Sequence, residues 1–373
     1  MGPHARDAGP AFRYRRLVGV GGIGVGTFFA LEGTHDLGRN ESRPGRLLDV
    51  RDYCKLHIIA HYPAVLLGAR PEGIPFHVLP VGKVGVDEAG LRLRAEMDQA
   101  GMDTRLVETV PGHPTLQSVC FQYPDGSGGN ITTVDSAAAL VSERDVDLAV
   151  TWLSPGSIAL AAPEVPLAVR RHLLGRAGEK GALRAASLTT AEVPEAREMG
   201  MLSLVDLLAL NEDEAAALVG EPWPAAEPRP YLDRCAAALR ASQPTMRAVI
   251  TAGARGAFAL DAAGWTHVPA LPVPVASTAG AGDALLGGLL AGLAAGLPFA
   301  GNSGESLAER PLASALDLGV LVATFKVTSP HTIPPGLSLG TLVAFARGHG
   351  VTFAEGFERL LPAGMTREHP RGR

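Results

Sequence analysis

The sequence contains little lysine, little cysteine and few aromatic residues. Lysine occurs only as Lys55, Lys83, Lys180 and Lys326. Basic and acidic residues number 33 and 38, which gives a formal net charge of -5, so the chain lacks the positive excess that a general nucleic-acid surface requires. Its three cysteines are odd in number and widely spaced, which argues against a disulfide framework and fits a reducing cytoplasm.

Long hydrophobic runs are also scarce. The stretch that most resembles a membrane span is the uncharged segment 284–304, but it contains several glycines and Pro298 and follows Asp283 directly. These features favour a buried core helix that ends near Gly296, so we expect no membrane partner. Residues 1–16 are polar and basic without an apolar run, which predicts a polar tail rather than a secretory signal.

The chain does contain enough apolar material for a sizeable core. It has 373 residues, of which 46% are hydrophobic and 19% charged, and this suits one large α/β domain or two small ones. From Phe76 onward, strand-like runs alternate with helical stretches, which predicts a mostly parallel sheet with helices on both faces. The strand candidates are 17–20, 76–81, 116–123, 157–160, 185–188, 204–209 and 248–251, followed by a hairpin over 256–268.

The predicted domain spans residues 17–340. Residues 27–50 are rich in glycine and arginine without a clear period, which indicates a protruding loop or a small sheet. The pattern over 53–67 indicates a helix that Pro63 would bend or interrupt. Residues 341–373 are predicted to form a C-terminal helical extension.

The most informative segment is the turn Ala279-Gly280-Ala281-Gly282-Asp283, which leads into a long apolar helix. Its glycines let the backbone turn tightly and approach a ligand. The N–H groups of Ala281, Gly282 and Asp283 would then point outward at a helix N-terminus, which is an anion site. A carboxylate at the rim of that site, Asp283, can take the proton from an attacking hydroxyl.

An alternative interpretation is that Asp283 is a helix cap and that the glycines serve packing, since Gly288, Gly292 and Gly296 recur along the same helix. The whole string, however, resembles the C-terminal signature Asp-Thr-Thr-Gly-Ala-Gly-Asp of the ribokinase-like (PfkB) carbohydrate kinases. Earlier segments resemble other motifs of that family in the expected order, namely 81–90, 211–214 and 250–257. The resemblance covers about residues 76–330 and is poor before them.

The resemblance implies a ribokinase-like α/β fold with a small lid, and transfer of the ATP γ-phosphate to a hydroxyl of a sugar, sugar phosphate or nucleoside-like substrate. Asp283 takes the place of the general base. The implied cofactors are ATP and Mg²⁺. The anion hole would be formed by Gly280, Ala281 and Gly282, and the residues expected near ATP are Asn211, Thr251, Gly253 and Gly256.

Asn211 and Glu214 are also expected to serve magnesium. Positions i and i+3 share a helix face, and a carboxamide and a carboxylate there can hold Mg²⁺ through its retained waters, with Glu214 as the metal residue. An Asn cap followed by an acidic first turn would stabilise any helix and explains the same residues. The position of the pair between the other motifs favours the metal role.

The sequence departs from the family pattern in two places. Ser277 stands where the family usually has an aspartate that helps to hold a monovalent cation, which puts potassium activation in doubt. The family's early aspartate and its Gly-Gly-x-x-x-Asn motif, which grip sugar hydroxyls, are missing, and the helix region reads Cys54-Lys55-Leu56-His57 instead. An ordinary hexose or ribose acceptor therefore does not follow.

Residues 38–46, in this altered part, are crowded with polar groups and arginine. Those arginines could bind a phosphate or carboxylate, which gives the hypothesis of an anionic or otherwise atypical small-molecule acceptor. The alternative is a solvated loop. The candidate substrate residues are Asp36, Asn40, Arg43 and Lys55. Because relatives often dimerise through the lid, a homodimer is a further expectation.

Two other patterns have simpler explanations. Residues 19–24 fit the dinucleotide fingerprint, but the Gly-, Arg- and Pro-rich sequence after them lacks the required helix and acid, and the glycines more simply let the chain pass beside the substrate. Cys54, His57 and His61 share a helix face that zinc could use, yet nothing fixes a fourth ligand, and a half-buried face explains them.

Two rivals to a sugar kinase stay open. A ligand-binding or regulatory protein could keep this fold without transfer; the altered substrate part favours it, and the retained Asp283 argues against it. A kinase of the same fold that acts on a vitamin-like alcohol is the other rival, and the early motif over 81–90 favours the sugar branch.

Overall fold

The computed structural model describes residues 12–33, 36–124, 128–225, 228–301, 304–357 and 360. Its strands are β1 (Arg16–Val20), β2 (Gly24–Leu31), β3 (Gly45–Tyr53), β4 (His77–Gly85), β5 (Val107–Val110), β6 (Leu116–Gln122), β7 (Gly128–Thr132), β8 (Ser157–Ala161), β9 (Leu183–Ser187), β10 (Leu207–Leu210), β11 (Arg247–Thr251), β12 (Ala257–Asp261) and β13 (Gly264–Val268). Its α-helices are α1 (Lys55–Leu66), α2 (Glu88–Gln99), α3 (Glu143–Ala149), α4 (Leu167–Glu179), α5 (Glu192–Glu198), α6 (Glu212–Val219), α7 (Arg229–Ser242), α8 (Ala281–Ala294), α9 (Ala315–Val327) and α10 (Leu339–Gly348).

A large sheet organises the fold. Within the described ranges it has nine strands in the order β13-β12-β11-β10-β9-β8-β1-β4-β5. Neighbouring strands from β11 to β5 pair in parallel, whereas β12 pairs antiparallel with both β11 and β13. The predicted mostly parallel sheet and its hairpin are therefore confirmed. Because the carboxyl ends of parallel strands meet at one edge, the loops after β1, β8, β10 and β11 converge there.

Alternate side chains of the strands enter two hydrophobic layers. On one side, Leu17 and Ile158 belong to a core that includes residues of α1, α8 and α9. On the other side, their neighbours Val18 and Ala159 pack with residues of α3 and α4. Both faces of the sheet are thus covered by helices, as the near-continuous apolar strands predict.

The lid is a second, four-stranded sheet with the order β3-β2-β6-β7. Strand β2 pairs antiparallel with β3 and in parallel with β6. Of the two forms predicted for residues 27–50, the small sheet is the observed one, but residues 116–132 complete it. Leu47, Val119 and Ile131 leave exposed apolar surface on the lid. The expected homodimer stays a prediction.

Both ends of the predicted domain differ from the structure. Phe12 is buried edge-on against Phe76, with 6.0 Å between the ring centroids, so residues 12–16 pack on the body instead of forming a polar tail. Helix α10 buries Leu342 and Ala346 in the main core, so this part of the predicted extension is integral to the domain. Residues 1–11, 358–359 and 361–373 of those two segments lie outside the described residues.

Helix α8 lies very close to two neighbouring helices. A Cβ added at Gly287 would be 2.8 Å from the Ile59 carbonyl oxygen of α1. One added at Gly288 would be 2.8 Å from a methyl group of Val322 in α9. Since real Cβ atoms do not approach other atoms so closely, glycine is what permits both contacts. No helix in the described part of the chain is long and apolar enough to cross a membrane.

We expect Gly288→Ala to lower the free energy of unfolding by about 1–3 kcal/mol, because the added methyl group would overlap Val322 and push α8 and α9 apart. The matched control is Gly175→Ala in α4, where an added Cβ meets nothing within 4 Å. The control should raise the free energy of unfolding by about 0.5–1 kcal/mol, since alanine is the better helix former. Urea unfolding measures both changes, and equal effects would contradict the close packing.

Candidate active site

The turn before α8 has the backbone geometry of an anion site. Gly280 is left-handed, with φ 74°, and caps the helix that starts at Ala281. Only glycine adopts that conformation without strain. The first N–H groups of a helix find no partner inside it, but that of Ala281 donates to the Thr278 carbonyl at 3.1 Å. Gly282 and Asp283 therefore carry the donors that remain for an anion.

A cavity of about 770 Å³ opens at this turn. Apolar side chains, including Leu271, Val273, Val275 and Val327, line part of it and offer a surface on which a flat ring can lie. Its wall also contains every residue predicted for ATP, Mg²⁺, the anion hole and the base, namely Asn211, Glu214, Thr251, Gly253, Gly256, Gly280, Ala281, Gly282 and Asp283. Lys55, one of the predicted substrate residues, lies in the same wall.

Asp283 faces a cation from a neighbouring helix. The Lys55 ammonium, at the start of α1, lies 3.6 Å from Oδ2 of Asp283. The two side chains are 31% and 12% exposed, so the pair is reachable from the cavity. The charge of Asp283 raises the pKa of Lys55, which keeps the lysine protonated. A fixed positive charge and a carboxylate thus meet at the head of α8.

Two further carboxylates, which the sequence did not assign to the site, lie near this pair. Glu164 follows β8 with a left-handed φ of 74°, and its Oε2 accepts the N–H of Lys55 at 2.9 Å. Asp52, near the end of β3, accepts the thiol of Cys120 at 3.8 Å. Burial raises the pKa of Glu164, and it raises that of Asp52 to about 6. The charge of Asp283 raises both pKa values further, which places the three carboxylates in one field.

The glycines after β1 provide the space that these carboxylates occupy. A Cβ at Gly22 would overlap the side chain of Glu164, and one at Gly26 would overlap the carboxylate of Asp52. The chain continues from these glycines into β2 and not into a helix, so the dinucleotide fingerprint of residues 19–24 has no structural counterpart. The position of Glu164 just beyond a predicted strand was the signal that could have identified it.

Asn211 and Glu214 form the capping box of α6. Oδ1 of Asn211 accepts the N–H of Glu214, and Oε2 of Glu214 accepts the N–H of Asn211, each at 2.8 Å. The capping interpretation therefore holds, yet both side chains also line the cavity. Burial raises the pKa of Glu214 to about 7, with Lys55 acting in the opposite direction. Since each carboxylate oxygen has a second lone pair, Glu214 fits a Mg²⁺ that keeps its waters.

The predicted substrate residues separate into two groups. Lys55 lies in the cavity wall, whereas Asp36, Asn40 and Arg43 belong to the loop between β2 and β3. Arg43 bonds within that loop, to Glu41 at 2.9 Å and to the Asp36 carbonyl at 3.3 Å. None of these three loop residues is part of the wall that the described residues form around the cavity.

The suggested zinc face is buried inside the protein. Cys54 caps α1, and His57 and His61 lie within that helix. Burial lowers the pKa of His61 to about 4 and that of His57 well below its usual range. In the part of the chain that the structure covers, no group of three or more metal-ligating side chains is placed to hold an ion directly.

Comparisons with known proteins give a consistent result. The model of the pfkB family carbohydrate kinases matches residues 67–338. The deoxyribokinase of Salmonella typhi is 27% identical over 212 residues, which cover 56% of this chain and 66% of the relative, just under two thirds of its length.

Solved structures share the architecture. The Burkholderia thailandensis nucleoside kinase in complex with inosine aligns with a TM-score of 0.66 at 16% identity, over 90% of this chain and 99% of its own. The aminoimidazole riboside kinase of Salmonella enterica, in complex with aminoimidazole riboside and an ATP analogue, aligns with a TM-score of 0.61 at 21% identity, over 88% and 99%. At such low identity the likeness shows the ribokinase-like fold alone.

If Glu214 serves a hydrated Mg²⁺, binding of the ion should follow the ionisation of that carboxylate. With a pKa of about 7, Glu214 is mostly protonated at about pH 6 and mostly ionised at about pH 8, so the dissociation constant of Mg²⁺ with ADP present should be about tenfold higher at the lower pH. Glu214→Gln should weaken binding and reduce this pH dependence. Calorimetric titration at each pH measures the dissociation constant of Mg²⁺ for both proteins.

The control for this experiment is Glu221→Gln, which removes an exposed carboxylate paired with Arg234. It should leave both the affinity and its pH dependence unchanged. A pH dependence that persists in full in Glu214→Gln would assign the titration to the nucleotide and contradict the role of Glu214.

Proposed function

The chain belongs to the pfkB family of carbohydrate kinases, and we propose that it transfers the γ-phosphate of ATP to a hydroxyl group of a neutral sugar or nucleoside. Family membership makes it a phosphotransferase that acts on sugar hydroxyl groups. The observation that carries the finer proposal is the meeting of Asp283, Lys55 and the N-terminus of α8 at one cavity.

In this proposal Asp283 is the general base. Its carboxylate accepts the proton of the acceptor hydroxyl as the oxygen attacks the γ-phosphorus, and the bond from that phosphorus to the departing ADP breaks. The proton leaves Asp283 for solvent after transfer. The free N–H groups at the head of α8 and the Lys55 ammonium stabilise the negative charge of the moving phosphoryl group.

The nucleotide would lie along the remaining wall of the cavity. Thr251 is close to the turn, since its hydroxyl lies 3.8 Å from where a Cβ of Gly282 would be. Gly253 has nothing within 4 Å of its Cβ position, which leaves room for phosphate oxygens. Glu214 would hold Mg²⁺ through water, and the ion when bound neutralises charge on the phosphates. The apolar part of the wall suits the adenine ring.

The charges near Asp283 favour a neutral acceptor. Asp52 and Glu164 act electrostatically on Asp283, whose charge raises the pKa of both, and Glu164 bonds the N–H of Lys55. A phosphate or carboxylate on the acceptor would add a further negative charge to this group, which is unfavourable. The oxygens of Asp52 and Glu164 suit hydroxyl or N–H donors. Neither these two carboxylates nor the arginines of residues 38–46 belong to the cavity wall. Glu164 bonds the N–H of Lys55, however, whereas Arg43 bonds within its own loop, so an anionic acceptor has less support. The relatives' names, with deoxyribokinase, inosine and aminoimidazole riboside, point to the same neutral class.

We expect Asp283→Asn to lower kcat by about 10²–10⁴-fold, because an amide cannot accept the hydroxyl proton. Nucleotide affinity should change little. The test follows ADP formation with D-ribose, 2-deoxy-D-ribose, inosine and aminoimidazole riboside as acceptors. The control is Asp233→Asn on α7, whose carboxylate is 64% exposed. Near-normal turnover of Asp283→Asn would exclude it as base, and ATP binding without turnover of any acceptor would favour the ligand-binding rival.

Asp52 and Glu164 should affect the binding of the acceptor and not the binding of the nucleotide. Glu164→Gln and Asp52→Asn keep the shape of each side chain but remove its charge, so we expect KM for the acceptor to rise about 10-fold or more while KM for ATP stays within about twofold. Steady-state kinetics with both substrates varied separates the two constants. A parallel rise in both would indicate that these carboxylates act only on the structure.

A further inference from the structure

Lys326 is a second lysine near the turn before α8, and it is completely buried. It lies in the last turn of α9 with 0% of its surface exposed. Its ammonium donates to the carbonyl oxygen of Ser277 at 2.9 Å, and no carboxylate within the described chain forms an ion pair with it. Lysine is almost never fully buried unless it is paired, so this side chain calls for a specific explanation.

The ammonium acts on the segment that leads into the anion site. The N–H groups of Ala276 and Ser277 donate to the carbonyl of Val327, the next residue of α9, at 2.8 and 3.3 Å. The Ser277 hydroxyl in turn accepts the N–H of Ala279 at 3.3 Å. The end of α9 therefore holds residues 276–277 through two kinds of bond: the Val327 carbonyl accepts their N–H groups, and the Lys326 ammonium donates to the Ser277 carbonyl. The left-handed Gly280 follows three residues after Ser277.

The charge of Lys326 survives its burial. Loss of water lowers the pKa of this lysine to about 8, while the negative charge of Asp52 on β3 acts to raise it. The group is therefore mostly protonated at neutral pH. The C-terminal end of α9 also favours a cation in its last turn. Since a charge shielded from water acts strongly over short distances, the ammonium contributes a positive field at the turn.

We propose that the Lys326 ammonium is a built-in cation of the anion site, which holds the Ser277 carbonyl and makes a free monovalent cation unnecessary there. A carbonyl oxygen can bind either a potassium ion or an ammonium group. A lysine ammonium that reaches the Ser277 carbonyl therefore occupies the place where a free ion would bind. Lys326 is a positioning residue, because it acts through the turn. The inference rests on the kinase function proposed above.

The first test compares initial rates of the wild-type enzyme in sodium, potassium and tetramethylammonium chloride at equal ionic strength. The acceptor is whichever of D-ribose, 2-deoxy-D-ribose, inosine or aminoimidazole riboside the enzyme uses fastest. Because its cation is covalently attached, we expect the three rates to agree within about twofold. A rate that rises more than about fivefold with potassium would overturn the proposal, since that requires a free-ion site.

The second test uses two substitutions that differ in the space they leave. Lys326→Ala opens a space beside the Ser277 carbonyl, whereas Lys326→Met fills most of it without charge. Both should lower kcat by about 100-fold with little change in KM for ATP. Potassium or ammonium ions should raise the kcat of Lys326→Ala by at least about tenfold, but they should leave the kcat of Lys326→Met low. The control, Lys180→Ala at an exposed position after α4, should behave as wild type in every salt.

A third measurement separates this inference from the kinase proposal. Thermal unfolding without substrate should show that potassium and ammonium raise the midpoint of Lys326→Ala, but not that of Lys326→Met or the wild type, and that tetramethylammonium is too large to act. This result is expected even if none of the acceptors is phosphorylated, in which case only the kinase proposal fails. Full kcat in Lys326→Met, or no effect of any cation on Lys326→Ala, would overturn the built-in cation.

Discussion

The close approach of α8 to both α1 and α9 is the constraint on which the site depends. Glycine removes the side chains that would separate these helices, at Gly287 towards α1 and at Gly288 towards α9. Helix α1 runs beside α8 in the same sense, so its first residue, Lys55, meets Asp283. Helix α9 runs in the opposite sense, so its last turn brings Lys326 to the approach of the same turn. The glycines that permit this packing therefore also bring two ammonium groups close to the proposed anion site, one at Asp283 and one at the Ser277 carbonyl.

The other half of the site comes from strand ends. Glu164 follows β8, Asn211 follows β10 and Thr251 ends β11, so the carboxyl edge of the parallel sheet delivers all three to one side. The lid contributes Asp52 from β3, a strand of the other sheet. The charge of Asp283 raises the pKa of Asp52, and the charge of Asp52 in turn acts to raise the pKa of Lys326. Residues far apart in sequence therefore influence one another's charge at this site.

What the sequence predicts well is local, and what it misses is tertiary. The turn 279–283 is identifiable because a left-handed residue and a close backbone approach demand glycine at particular positions. The motif over 81–90 is also local, and Asp87 within it caps α2 and binds Thr115, which is a structural role. Lys326 lies 49 residues from the carbonyl that it holds, and no periodicity connects the two. Asp36, Asn40 and Arg43 were selected by composition alone, and composition does not distinguish a solvated loop from a binding surface. Strand pattern likewise does not reveal that residues 116–132 join the lid.

The scarcity of lysine acquires a meaning in this structure. Arginine supplies most of the basic charge, and Arg39 and Arg46, for example, are exposed in the lid. Lys55 and Lys326, by contrast, stand where the cation must be compact: one beside Asp283 and one beneath a single carbonyl. A guanidinium is a planar fork with five donors, and a site that offers one carbonyl inside a packed core would leave most of those donors unsatisfied. An ammonium has three donors and a small radius, so it leaves fewer. Two of the four lysines therefore stand at positions where an arginine would leave most of its donors without a partner.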